Sequence, residues 1–191
     1  MTVEQEQYLS DTRLAPYIQV ATQLIGKSRE AGGNMFRHQI DTMAILIDYG
    51  FIDSVLLKAS VVHDILEDIP DFNHYDLLSI DDESEAVYEL VKEVSKRHGE
   101  TKIDFLTRIH ATGSQNAKIL KVADRISNMI SLGFVNNLDF VERYIHETEQ
   151  YILPIAWEVS HHTVRELSDL LESRKKYLDE YRKYNMTTES K

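Results

Sequence analysis

Residues 54–68 read SVLLKASVVHDILED, and this stretch decides the fold. From Ser54 to Leu66 it is apolar on almost every side, as a helix packed among other helices should be. Asp53 stands where an N-cap belongs, and Pro70 lies just past the end. One continuous helix over Ser54–Asp68 is expected. At about 100° per residue, His63, Asp64, Glu67 and Asp68 would then share one sector of about 140°. Three carboxylates and an imidazole on a buried helix conflict with the cost of removing charge from water. Lys58, the nearest cation in the stretch, is about one and a half turns away. A divalent metal ion would resolve the conflict.

Helical periodicity continues on both sides. Leu14–Lys27 carries Leu14, Tyr17, Ile18, Ala21, Leu24 and Ile25 on one face, and Gly32-Gly33 ends it. A helix over Met35–Tyr49 stops at Gly50. Beyond the central stretch come a short segment at His74–Leu78, an acidic helix at Glu83–Lys96 and another at Lys102–Ala111. Ser114 is placed to cap Gln115–Ser131. Leu138–Ser160 reads as one long helix bent at Pro154, and Thr163–Tyr184 as a solvated last helix. The expectation is an all-α bundle of about eight helices. It forms one domain over 1–191, with a core at 14–160, a C-terminal helix at 163–184 and a flexible tail at 185–191.

Composition agrees with this reading. Hydrophobic residues make up 42% of the 191 and charged residues 28%, which suits a packed core and excludes a disordered chain. Seven Gly and three Pro are too few turn-formers for a β-sandwich. No apolar run approaches the ~18 residues that span a bilayer, and MTVEQEQYLSD lacks the basic end and apolar stretch of a secretory signal. A cytoplasmic location is expected. With no Cys there is neither a thiolate metal ligand nor a thiol nucleophile, so any metal must be held by His, Asp or Glu. The net charge of −11 disfavours nucleic-acid polymers and anionic membranes. A small anionic substrate remains compatible with it, because a bound cation and a few local Lys or Arg can reverse the sign inside one pocket. The composition leaves oligomerisation open.

His63-Asp64 supplies two metal donors, and two make a weak site. His38, one helix earlier, is one candidate for the remainder. Asp124, in KVADRISNM on an inward-packing helix with Asn128 one turn on, is the other. Neutral imidazole with carboxylate suits Mn²⁺, Fe²⁺, Zn²⁺ or Mg²⁺ and leaves positions open for water. Each residue taken singly has a plainer reading: a satisfied histidine at His38, a solvated helix end at Glu67-Asp68, an ion pair at Asp124-Arg125. The combination carries the argument. His146, His161 and His162 read as surface residues, and the stripe Tyr144, Tyr151, Ile152, Ile155 as core.

At these residues the sequence resembles the HD-domain metal-dependent phosphohydrolases, and within them the RelA/SpoT-type hydrolases that remove the 3′-pyrophosphate from (p)ppGpp. The resemblance runs through His38, LLKASVVHDILED, LKVADRISNM and HETEQYILPIA, which together lie within residues 20–157. The spacing of these motifs is expected to leave no room for a synthetase domain, so the resemblance is to the small single-domain alarmone hydrolases. The sequence departs from the family at Asn34-Met35 and Gln39, and its N-terminal basic run is reduced to Lys27, Arg29 and Arg37.

The resemblance implies four metal ligands, His38, His63, Asp64 and Asp124, around an ion of the Mn²⁺ type. It gives Glu67 and Asp68 the task of positioning or deprotonating the attacking water, and Asn128 a contact to the nucleotide. Lys27, Arg29, Lys121 and Arg125 are then candidates to neutralise a departing pyrophosphate. From ppGpp the products would be GDP and pyrophosphate. Two alternatives stand beside this: an HD-type phosphohydrolase or nucleotidase acting on another nucleotide, and a metal-containing module that senses a nucleotide without cleaving it.

Overall fold

The structure is a computed structural model that describes residues 1–188. It is all-α, and among the described residues the only β-type pairing is an isolated bridge between Ser28 and Asn34. In chain order the helices are α1 (Val3–Asp11), α2 (Ala15–Ala21), α3 (Met35–Asp48), α4 (Ser54–Ser60), α5 (Ile65–Asp68), α6 (Tyr75–Leu78), α7 (Ser84–Val94), α8 (Lys102–Thr112), α9 (Gln115–Ser131), α10 (Leu138–Glu147), α11 (Leu153–Val159) and α12 (His161–Thr188). None is long and apolar enough to cross a membrane.

Helix α9 organises the bundle because it is apolar on two faces. Ala117, Ile119, Leu120 and Ala123 pack with α2, α4 and α7, while Val122, Ile126 and Met129 pack with α8 and α10–α12. Asp124 lies between these faces, where α3 runs along α9. Its N-terminus is capped by Ser114, as expected, and α3 and α4 are capped by Asn34 and Asp53.

The helix expected over Ser54–Asp68 is interrupted. It stops at Ser60, and Val61–Asp64 form a turn before α5. The Nδ1–H of His63 donates to the Ser60 carbonyl at 2.7 Å, taking the acceptor that an α-helix would offer to the amide of Asp64. That amide instead meets Gln39 Oε1 at 3.4 Å. The single-helix sector drawn for His63, Asp64, Glu67 and Asp68 is therefore replaced by a kinked one.

Other boundaries also move. Helix α1, closed by a Thr2–Gln5 capping box, was not assigned from the sequence. The first expected helix shortens to α2 followed by a 3₁₀ turn, Thr22–Leu24. The bend at Pro154 is taken up just before it by a π-type turn, Thr148–Ile152, which leaves Pro154 in the first turn of α11, where its missing N–H does no harm. The last helix continues to Thr188, beyond the expected end at Tyr184, and tail residues 189–191 lie outside the described part.

Candidate metal centre

Three segments bring the four candidate donors together. His38 comes from α3, His63 and Asp64 from the turn between α4 and α5, and Asp124 from α9. His38 Nε2 lies 3.0 Å from Asp124 Oδ1 and 3.6 Å from Asp64 Oδ2, and His63 Nε2 lies 3.2 Å from Asp64 Oδ2 and 3.8 Å from Asp124 Oδ1. One ligand atom from each of His38, His63 and Asp124 falls within a 4.8 Å span, and all three side chains are buried.

The interrupted helix prepares His63 for ligation. A carbonyl can only accept, so the contact to Ser60 puts the proton on Nδ1. Nε2 is left buried and without a hydrogen-bond partner, facing the carboxylates of the cluster. An orphaned buried nitrogen is uncommon, and a cation at the centre of the four donors would satisfy it. His38 is oriented in a similar way, with Nδ1 2.8 Å from Ser127 Oγ and Nε2 toward Asp124.

The electrostatics of the cluster favour positive charge. Burial opposes protonation of both imidazoles. At His63 the Asp64 and Asp124 carboxylates outweigh it and raise the pKa to about 9, whereas at His38 burial prevails and lowers it. The carboxylates of Asp64 and Asp124 are themselves held below the usual range despite burial, Asp64 mainly by the two imidazoles and Asp124 mainly by Lys121. Asp124 Oδ2 accepts from Lys121 Nζ at 2.6 Å and Oδ1 from Asn128 Nδ2 at 2.5 Å, while Arg29 Nη2 donates to Asn128 Oδ1 at 2.5 Å.

The two remaining acids have separate surroundings. Asp68 is half-buried, and burial, reinforced by the charges of Asp64 and Glu67, pushes its pKa up to about 6, with Lys27 opposing. Glu67 is exposed, lines a surface cleft of about 1410 Å³ with Leu66 and Phe72, and accepts a hydrogen bond from the Lys96 amide at 3.0 Å.

The five residues expected to meet substrate divide. Asn128, Arg29 and Lys121 are tied to Asp124, directly or through one another. Lys27 is exposed on the Asp68 side. Arg125 is fully buried: it bonds Glu147 and, at 3.0 Å, Thr148 Oγ1, and its guanidinium lies 4.0 Å over the Tyr144 ring. Sequence reasoning gave no role at the site to Gln39, Ser127 or Lys102. Gln39 Nε2 donates to Asp64 Oδ2 at 2.8 Å, and Lys102 Nζ lies 3.9 Å from Glu147 Oε1. Ser127 and Gln39 could have been found by spacing, one turn from Asp124 and next to His38; Lys102 carries no such signal. Of the other histidines, His74 bonds Tyr88 and His110 bonds Glu158.

The HD-domain family matches residues 35–129, a span that holds all four donors. The chain contains an HD domain. No curated protein sequence matches it. A solved structure of a metazoan ortholog of SpoT, described as hydrolysing ppGpp and playing a role in starvation responses, is similar to this HD-domain protein with a TM-score of 0.72 and 20% identity. The likeness covers 84% of this chain and 94% of that one and speaks for a shared fold. The HD-domain match and the buried donor set support a metal-dependent phosphohydrolase.

Proposed function

We propose that this HD-domain protein removes the 3′-pyrophosphate from ppGpp, giving GDP and pyrophosphate. The observation that carries the reading is the convergence of His38, His63, Asp64 and Asp124 with His63 Nε2 unpartnered. These four residues would hold one divalent ion, of the Mn²⁺ type. When bound, such an ion lowers the pKa of a water and polarises a phosphoryl oxygen. Asp68, with its raised pKa, accepts the proton as the water attacks the phosphorus joined to the 3′ oxygen. That phosphorus–oxygen bond breaks, and the 3′ oxygen leaves with a proton. Lys121 and Arg29 place positive charge beside Asp124 and Asn128, where the departing pyrophosphate needs it. Arg125 supports this wall by fixing Glu147 and Thr148. The likeness to the SpoT ortholog's fold supports ppGpp as substrate.

A second reading keeps the centre and changes the nucleotide. Its support is Arg37, which is exposed and paired with Asp41 at 3.3 Å, so the basic run before His38 contributes less to a pocket. A silent sensor has little use for a half-buried Asp68 beside the cluster. The test is the full chain with Mn²⁺ against a nucleotide panel, products resolved by anion exchange. Pyrophosphate and GDP from ppGpp are expected. Orthophosphate from another nucleotide supports the second reading, and binding without product overturns the enzyme.

A further inference from the structure

A chain of hydrogen bonds outside the donor cluster passes through one peptide group. Arg108 Nη2 donates to the Ser95 carbonyl at 3.0 Å. The N–H of that same peptide, on Lys96, donates to Glu67 Oε1 at 3.0 Å. A peptide is planar and stiff, so fixing its carbonyl fixes the direction of its N–H. Donation to the oxygen also polarises the group and strengthens the N–H as a donor. Guanidinium, peptide and carboxylate thus form a single relay.

The rest of Arg108 is committed to holding that peptide still. Nε and Nη2 grip the two oxygens of Glu100 at 2.8 and 3.1 Å, a bidentate pair, and Nη1 bonds the Glu93 carbonyl at 2.9 Å. Glu100 in turn accepts from the Arg97 amide at 2.9 Å, and Gly99, at φ +76°, lets the turn from Arg97 to Glu100 close. One arginine therefore fastens both ends of the segment between α7 and α8. Among the described residues, the Lys96 amide is the hydrogen-bond partner of the Glu67 carboxylate. An arginine serving the segment alone would have no reason to act on the one peptide that faces this acid.

The geometry points to Arg108 as a positioning residue for Glu67, acting through the Ser95–Lys96 peptide. It rests on the reading of Glu67 and Asp68 as the acids that position and deprotonate the attacking water.

The test uses the Mn²⁺-loaded full chain and ppGpp, comparing the unmodified chain with Arg108→Gln, Arg108→Lys, Glu67→Gln and the double variant Glu67→Gln/Arg108→Gln. Arg108→Gln should lower kcat about 10-fold or more, the usual effect of an outer hydrogen-bond partner, with metal content and KM little changed. Arg108→Lys, which keeps the charge and loses the fork, should not rescue it. Added to Glu67→Gln, Arg108→Gln should have no further effect. Losses that multiply in the double variant, or a rise in KM at constant kcat, would overturn the inference.

The Lys96 amide, followed by NMR, gives a second readout that needs no turnover. Its resonance and exchange rate should change alike in Glu67→Gln and Arg108→Gln, while amides of α9 stay unchanged and report an intact fold. If the unmodified chain leaves ppGpp uncleaved, the functional reading fails. The amide then decides the relay alone, and an unmoved Lys96 resonance in Arg108→Gln refutes it.

Discussion

Lys121 and Asp124, one turn apart on α9, form a buried ion pair with Nζ 2.6 Å from Oδ2. The sequence reading of the 54–68 stretch found no cation near its acids; the structure supplies one from another helix. It neutralises only part of the cluster, since Asp64 and Asp124 together outnumber it.

Removing this cation should therefore matter most in the metal-free protein. Lys121→Met is expected to destabilise the chelator-treated protein by about 3–5 kcal/mol, the usual cost of stranding one partner of a buried pair. With Mn²⁺ present the loss should be smaller, because the ion binds only the folded chain. Urea unfolding with and without metal measures both. Equal losses in the two conditions would show that the ion and the lysine do not share Asp124.

Ser127 holds His38 by Nδ1 from one turn beyond Asp124. Ser127→Ala should leave the helices intact and weaken Mn²⁺ binding about 10–100-fold. Titration calorimetry at fixed pH reads this directly. Unchanged affinity would mean that the ring is oriented by packing alone.

Asp68 is cast as the proton acceptor. Asp68→Asn should cut turnover of ppGpp about 10²–10⁴-fold while keeping the metal. A variant with near-normal kcat would move the role to Glu67.

Glu100 gives a pH prediction separate from the centre. Hydrogen bonding from Arg108 lowers its pKa from 4.5 to about 2. Its depressed value means that it stabilises the fold fully above pH 4.5 and loses this contribution as pH falls from 4.5 toward 2. Glu100→Gln should be less stable at neutral pH by about 1–2 kcal/mol and show a flatter stability profile across that acid window. Urea midpoints from pH 2 to 6 test it; parallel profiles would contradict it.

Much of this molecule was legible in its sequence, for identifiable reasons. The α9 pattern is strong because one helix serves two core faces, so apolar residues surround Asp124 and make it conspicuous. His38, His63, Asp64 and Asp124 read as candidate donors only in combination, because together they bring imidazoles and carboxylates into an apolar bundle, where such groups need partners. What escaped were features set by contacts distant in sequence. The break at Val61–Asp64 comes from a histidine ring taking a backbone carbonyl and from Gln39 taking the freed amide, and helical periodicity cannot foresee either. Gln39 read as a departure from the family, yet it clamps Asp64 through two hydrogen bonds. Arg125 looked like a partner for Asp124 or for substrate, and only the packing of α10 against α9 reveals Glu147 beside it.

The central claim is that two imidazoles and two carboxylates from three segments share one ion. Elemental analysis of protein purified without chelator and equilibrated with Mn²⁺, for the natural chain and for His63→Ala, tests it most directly. The account predicts about one ion per chain in the first and loss of nearly all of it in the second, with the helical fold retained. A natural chain that holds no ion, or a folded His63→Ala protein that keeps a full equivalent, would contradict it.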